Sequence, residues 1–356
     1  MRQVDVVVVG ASFAGLACAS TCARAGLATL VLERKAAAGE RPHTTGIIVK
    51  EAVTALAPPP AAVREIRRVR LYGPSLRWVE FAAADYFFLT TDVPMVMEGL
   101  ADRARADGVE IRLQTPFTTG RHSGTGVVLD DHGVRCRILV GADGPRSQVA
   151  RAFGLGRNRR FLRGVEAEFD GADLPDDGAF HCVLDRTIAP GYLAWVVPGV
   201  TGVQVGLAAT MPYAPDLDRL IERAGPLFGL RRERILGYRG GLIPCGGPVA
   251  PVAAGNVVLT GDAAGVVSPL TGGGIHTAHA YGALLGAAIA AHLDGRGPPP
   301  GEVAARCYPR FRLKRAQRRL YEVAGRNALF DLALGTAAAR LAARAVFFRA
   351  KRLPGV

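Results

Sequence analysis

Six residues, Gly10-Ala11-Ser12-Phe13-Ala14-Gly15, do most to limit what this chain can fold into. They follow Val4-Asp5-Val6-Val7-Val8-Val9, a short β-branched run of the kind that forms a buried parallel strand. They open an Ala-rich segment, residues 14–25, that reads as a helix ending at Gly26. Residues 28–32 then form a second strand, closed by Glu33. Strand, glycine turn, helix and strand make a βαβ unit, so the first layer of the fold is a parallel sheet.

The turn matches the pattern G-x-G-x-x-G, with Ser12 in place of the middle glycine. Gly10 allows the tight turn and Gly15 allows close packing of helix on strand. The middle position faces a pyrophosphate, and a small serine still fits there. Phe13 and Ala14 lie in the turn, and the N-terminus of the helix that follows offers N–H groups and its dipole to a phosphate. Glu33 lies 23 residues after Gly10, where a carboxylate accepts hydrogen bonds from an adenosine ribose. The segment from Gly10 to Gly15 and Glu33 are therefore expected to hold a dinucleotide.

The 356 residues suggest about two domains, and 49% apolar with 21% charged residues fits a folded globular chain. The pattern predicts a loop entering a helix over 39–50, and strands over 66–72 and 76–81. A helix follows over 93–107, with Asp92 as N-cap and Pro94 in the first turn. Further strands are expected at 109–113, 126–130 and 134–140, a strand-rich stretch over 161–210, a helix over 215–229 and a strand at 256–260. A long helix should run from about Gly274 to Leu293. After the linker 295–301 (GRGPPPG), two further helices should fill 302–350.

The six cysteines, at 18, 22, 136, 182, 245 and 307, form no C-x-x-C pair and have no partner at a zinc-site interval. No metal site is expected, and reduced, mostly buried thiols point to the cytoplasm. Arg2 before an apolar run imitates a signal peptide, but Asp5 interrupts it and the run reads better as strand and turn. No 18-residue apolar stretch without charge or glycine punctuation occurs, so no spanning helix is expected.

The net charge of +13 is unevenly placed. Residues 306–356 hold 13 Lys and Arg against two acids, Glu322 and Asp331, which leaves about +2 for the rest. Arg310, Lys314, Arg315, Arg318 and Arg319 recur at helical spacing, with Leu313, Leu320, Val323 and Leu329 as an apolar side. The basic segment reads as a helical cap with a solvated face. It also suits docking of an acidic ferredoxin or flavodoxin, or of an anionic membrane surface, which would make a cytoplasmic protein peripheral on the membrane. Nothing resembles a nucleic-acid reading module, so no nucleic acid is expected.

Three further segments carry a family resemblance. Gly141-Ala142-Asp143-Gly144-Pro145-Arg146-Ser147 resembles the GADGxxS motif of flavoproteins of the para-hydroxybenzoate hydroxylase type. Gly261-Asp262-Ala263-Ala264-Gly265 resembles their second FAD motif, and Ser268-Pro269-Leu270-Thr271-Gly272-Gly273-Gly274-Ile275 is similar to its continuation in the geranylgeranyl reductase branch. Tyr192-Leu193-Ala194-Trp195-Val196-Val197-Pro198, followed by Gly202 and Gly206, is similar to that branch's Y-x-W-x-F-P segment. It has one extra residue between Tyr and Trp, and Val for Phe.

The resemblance implies an α/β protein: a Rossmann-like FAD-binding domain (1–71, 92–160 and 245–300), a mainly antiparallel β-sheet substrate domain (72–91 and 161–244) and a basic helical C-terminal segment (301–356). It implies non-covalent FAD. Asp262 would bind a ribitol hydroxyl, and Asp143 with Gly144 would support the pyrophosphate turn. Gly272, Gly273, Gly274 and Ile275 would bring backbone N–H groups and a helix dipole to the flavin N1–C2=O edge. Tyr192 and Trp195 would line an apolar substrate pocket, with Phe81, Phe87 and Phe88 as further lining residues, or be sheet core.

The chain also departs from the family. Its loop His43-Thr44-Thr45-Gly46-Ile47 has no cysteine, where isoprenoid-reducing members often carry one. Thr91-Asp92-Val93-Pro94 lacks the arginine that often opens the helix there, so phosphate contacts are expected from Arg34, Lys35 or Arg41. His43 and His276 are the candidate catalytic groups, because histidine titrates near neutral pH, and His279 is a weaker one. His43 equally suits a loop histidine bonded to backbone. The expected activity is reduction of a carbon–carbon double bond in an apolar substrate (isoprenoid, quinone or natural product) by hydride from reduced flavin. The alternative is a flavin-dependent monooxygenase (hydroxylase) using a C4a-hydroperoxyflavin. With no second glycine fingerprint, the electron donor is NAD(P)H bound transiently, or a reduced ferredoxin or flavodoxin.

Overall fold

The computed structural model of the chain describes residues 1–324 and 327–348. Five parallel strands form its first layer: Arg2–Val9, Thr29–Leu32, Glu110–Arg112, Val134–Gly141 and Val257–Leu259. Counted along the chain, their spatial order is 3-2-1-4-5, the doubly wound order of dinucleotide-binding sheets. Val9 lies opposite both Leu32 and Gly141, and Gly141 lies opposite Leu259. Four carboxyl ends are therefore level, and the order reverses between Arg2–Val9 and Val134–Gly141. Open α/β sheets bind ligands at such a reversal.

Helix Phe13–Arg24 is expected from its alanines, but what holds it is the long helix Ile275–Leu293 laid across it. A Cβ on Gly282 would stand 2.3 Å from the Ala14 carbonyl oxygen, and one on Gly286 2.6 Å from that of Cys18. Only glycine permits this approach. Cys18 and Cys22 are small apolar filler in the same seam, which accounts for their spacing without a metal. All six cysteines are free and five are buried, and no metal-ligating cluster occurs among the described residues.

The second layer is a seven-stranded sheet. Its order is Ile235–Pro244, Phe161–Phe169, Val203–Thr210, Ala194–Pro198, Ala179–Val183, Arg68–Tyr72, Trp78–Ala82. All pairs are antiparallel except Arg68–Tyr72 on Ala179–Val183. Alternation divides its faces. Ala167, Val196, Val205 and Leu207 pack against helix Leu217–Phe228, whereas Leu162, Trp195, Val197 and Ala208 face the other way.

Several boundaries differ from the sequence reading. Arg68–Tyr72 belongs to the seven-stranded sheet, which therefore starts before residue 72. Phe88–Thr91 instead joins Ile48–Val49 and Val63–Ile66 in a separate three-stranded sheet. Local alternation marks a strand but does not name its partner. The described residues of 300–348 form four helices, not two: Pro300–Cys307, Arg312–Ala324, Asn327–Leu334 and Ala337–Phe348. Pro309 and Gly335 supply two of the breaks.

Helix Arg312–Ala324 keeps Arg315 and Arg319 on an exposed basic face as expected, but it buries Arg318 and leaves its apolar side outside. Arg318, assigned to a solvated basic face, is 2% exposed, while Leu313, Leu320 and Val323 are 70%, 67% and 83% exposed. The buried side is polar because Arg318 meets the Pro269 carbonyl and the Thr210 hydroxyl, not an apolar groove. Glu322, one turn on in the same helix, is its third partner. The side chain of Leu329 lies outside the described residues, as do positions 325–326 and 349–356.

Candidate active site at the level strand ends

The glycine turn is built as its sequence requires. Gly10 has φ +103°, and a Cβ there would stand 2.5 Å from the Ala142 carbonyl oxygen. Ser12 caps the helix, accepting from the Gly15 N–H at 3.1 Å and donating to Ala142 O at 3.2 Å. The serine that replaces the middle glycine thus ties the turn to the strand end beside it. Glu33, 7% exposed, accepts from the Ala11 N–H (2.7 Å) and the Lys35 N–H (3.0 Å). Each carboxylate oxygen keeps acceptor capacity for a ribose hydroxyl. Arg34 is exposed and Lys35 half-buried. Burial lowers the Lys35 pKa.

Asp143 turns inward. It accepts from Ser147 Oγ (2.6 Å), Gln148 N–H (2.6 Å) and Val149 N–H (3.1 Å), anchoring the start of the short helix Gln148–Ala152. Burial raises its pKa and these bonds oppose the rise. Gly144 beside it takes φ +86°. Asp262 is different: its carboxylate accepts no hydrogen bond from the described residues, and burial raises its pKa to about 6. One of its oxygens lies 3.7 Å from where a Gly274 Cβ would be. The helix Ile275–Leu293 starts at Gly274 with no side-chain cap, and this start is the positive end of its dipole.

These features fit FAD. Glycine-cleared backbone and two helix N-termini suit a pyrophosphate and a flavin edge. An uncommitted carboxylate at a strand end suits a polyol hydroxyl. Where the family often places an arginine, the loop closes on the helix start instead. The Gly39 N–H donates to Glu98 at 2.7 Å, and a Gly39 Cβ would stand 2.5 Å from Pro94 O.

The face of the seven-stranded sheet opposite helix Leu217–Phe228 completes the site. Trp195 and Tyr192 lie together in one apolar cluster with Leu162, Val197, Ala208 and Cys245. Gly206, opposite Trp195 in the neighbouring strand, makes room for the indole: a Cβ there would be 2.6 Å from its ring. Tyr192 donates its hydroxyl to the Thr271 carbonyl, and a Cβ on Gly272 would stand 2.8 Å from that hydroxyl. Burial pushes the Tyr192 pKa up. Phe81 and Phe88 join an adjoining cluster that shares Ile47, Phe180 and Leu193 with the first, whereas Phe87 packs in the other core.

A polar group crosses this apolar face. Glu166, buried, accepts from Trp195 Nε1 and Thr45 Oγ1, both at 2.6 Å, and from Arg239 Nε at 2.5 Å. Gln204, with its amide set to satisfy both neighbours, donates to Thr45 O (2.9 Å) and accepts from Arg239 (3.1 Å). No motif marks these residues. The strand of Glu166, Phe161–Phe169, also carries Arg163 and Glu168, so no sign in the sequence sets Glu166 apart.

His43 has its Nδ1 2.9 Å from Gly240 O, the backbone-bonded geometry that was one of its two readings. Burial, with Lys35 and Arg34 nearby, lowers its pKa. His276 is buried in the first turn of its helix, and burial lowers the pKa of His279 one turn on. Arg318, from helix Arg312–Ala324, reaches the site from outside. It donates to Thr210 Oγ1 (2.6 Å), Glu322 (2.9 Å) and Pro269 O (3.4 Å), with its guanidinium 5.6 Å from the Tyr192 ring centre.

Comparison with known proteins agrees with this geometry. Residues 5–45 match an FAD binding domain family. The chain is 30% identical over 316 residues to digeranylgeranylglycerophospholipid reductase 2 of Methanopyrus kandleri, covering 82% of this chain and 78% of that one. It is 29% identical to geranylgeranyl diphosphate reductase of Rhodobacter capsulatus, over 83% and 77% of the two chains. A geranylgeranyl bacteriochlorophyll reductase-like protein from Thermoplasma acidophilum has the same fold: TM-score 0.84, 21% identity, 98% and 97% coverage.

Proposed function

The chain belongs to the geranylgeranyl reductase family of FAD-dependent oxidoreductases, and from that we propose that it reduces carbon–carbon double bonds of an isoprenoid chain. The observation that carries the proposal is the uncommitted Asp262 carboxylate at a strand end, beside a glycine-cleared helix start that the apolar Tyr192–Trp195 face adjoins. Bound and reduced, FAD supplies the hydride. Asp262 would take a ribityl hydroxyl. The turn Gly10–Gly15, steadied by Glu33 and by the Ser12–Ala142 bond, would hold the pyrophosphate, with Arg34 and Lys35 beside it. The helix start after Gly274, the positive end of its dipole, would favour negative charge at the flavin edge.

The substrate side follows from the same face. Ile47, Phe180 and Leu193 link two apolar clusters, and such a surface suits a prenyl chain and excludes water from the reacting carbons. The loop His43–Ile47, which lacks the family's cysteine, is held through Thr45 on Glu166 and His43 on Gly240. We assign His43 to that anchoring. Electrons come from NAD(P)H or from a reduced ferredoxin or flavodoxin.

The test is anaerobic. FAD-loaded enzyme, reduced stoichiometrically, is mixed with geranylgeranyl diphosphate and with a geranylgeranylated glycerophospholipid. Flavin reoxidation with a product heavier by two hydrogens is expected. A product that appears only with oxygen and carries one added oxygen atom would replace this reading with the hydroxylase one.

A further inference from the structure

Helix Arg312–Ala324 turns an apolar stripe to the outside. Leu313, Leu320 and Val323 are exposed and, at spacings i, i+7 and i+10, share one side of the helix with exposed Ala316. Arg312, Arg315 and Arg319, all exposed, flank that stripe. The following helices leave Leu332 and Leu341 about as exposed. Residues 306–356 contain two acids, and both are committed inward: Glu322 to Arg160 (2.7 Å) and Arg318, Asp331 to Ser75 Oγ (2.8 Å).

We propose that this helix is an interfacial anchor that seats the protein on an anionic lipid surface. Aliphatic side chains beside arginines, with no outward carboxylate among them, match what a headgroup–acyl boundary accepts. The leucines enter the boundary while the arginine stems lie along it and keep their charge at the phosphates. A protein partner would call for aromatic anchors and paired charges of both signs, and the stripe offers neither.

The inner side of the same helix says why the anchor stands here. Arg318 holds the Pro269 carbonyl of the turn beside the candidate flavin edge, and Tyr321 donates to the Tyr192 carbonyl at 2.6 Å. A lipid surface on the outer side would thus lie about one helix diameter, roughly 10 Å, from the turn that carries Gly272. The anchor is independent of the reaction proposed above, since vesicle binding is read without turnover.

The test is flotation of the FAD-loaded full chain with two kinds of vesicle, phosphatidylcholine alone and phosphatidylcholine containing phosphatidylglycerol. Binding to the anionic vesicles is expected, weakening as salt is raised. Arg312→Gln with Arg319→Gln should reduce partition about 25-fold, roughly fivefold per arginine. Leu320→Ser with Val323→Ser should reduce it about tenfold. All four positions are exposed, so flavin content and melting temperature should stay at the wild-type values and show that the fold is intact. Failure of the wild type to float with anionic vesicles, or flotation of both double variants like wild type, would overturn the proposal. A dimer in lipid-free solution that Leu320→Ser with Val323→Ser dissolves would also overturn it, by assigning the stripe to a second copy.

Discussion

Glu166 accepts the indole N–H of Trp195 at 2.6 Å and, on the same oxygen, the hydroxyl of Thr45 at 2.6 Å. One buried carboxylate therefore fixes both the Trp195 indole on the apolar sheet face and the loop His43–Ile47. Its charge is met by Arg239, 18% exposed at its side chain. Removing one partner of such a pair leaves the other buried and uncompensated. Glu166→Ala should cost about 3–5 kcal/mol by thermal or denaturant unfolding. Glu166→Gln should cost less, because one acceptor oxygen remains, and should shift Trp195 fluorescence only slightly.

Asp262 gives a pH dependence to cofactor binding. Burial raises its pKa to about 6 in the protein alone, above the ordinary aspartate value near 3.9. The folded apoprotein therefore binds more protons than the unfolded chain between those values. This contribution to stability is present at low pH and is lost as pH rises through 6. A ribityl hydroxyl donated to the carboxylate favours the charged form, so FAD binding should release a proton. FAD affinity should weaken as pH falls below about 6, measured by flavin fluorescence titration. Asp262→Asn should bind FAD more weakly at pH 7.5 and lose that slope.

Two glycines separate cofactor retention from folding. Gly10→Ala puts a Cβ 2.5 Å from Ala142 O at φ +103°, so the turn must move. The purified variant should hold less than a tenth of the wild-type flavin, a loss of about 1.4 kcal/mol or more in binding. Gly282→Ala puts a Cβ 2.3 Å from Ala14 O between two helices. It should cost about 1–3 kcal/mol of stability by overpacking, read as a lower melting temperature.

Arg318 should behave as a structural group despite its place in a basic segment. Arg318→Met keeps the length and apolar stem but drops the bonds to Pro269 O, Thr210 and Glu322. Hydrogen bonds to a charged group contribute about 1.5–3 kcal/mol, and Glu322 keeps Arg160 as a partner. A loss in that range is expected in chemical unfolding, larger than for Arg319→Met on the exposed side, which should be near zero.

The βαβ start and the long helix from Gly274 were legible in the sequence because each rests on local chemistry. Gly10 must take a positive φ, Ser12 must cap and the alanines of residues 14–25 must coil, whatever surrounds them. The segments around Asp143 and Asp262 stood out in the sequence because both aspartates lie within a few residues of a strand end. The reading failed where a side chain's meaning comes from a distant partner. Glu166 and Arg239 meet through strand pairing 73 residues apart, and Arg318 reaches Thr210 across 108. Phe88–Thr91 looks like any strand until its neighbours are known. Helical spacing in residues 310–323 correctly showed an amphipathic helix, but not which side faces in. Tertiary structure decided that, because the Pro269 carbonyl and the Thr210 hydroxyl awaited Arg318, and the leucines were left outside.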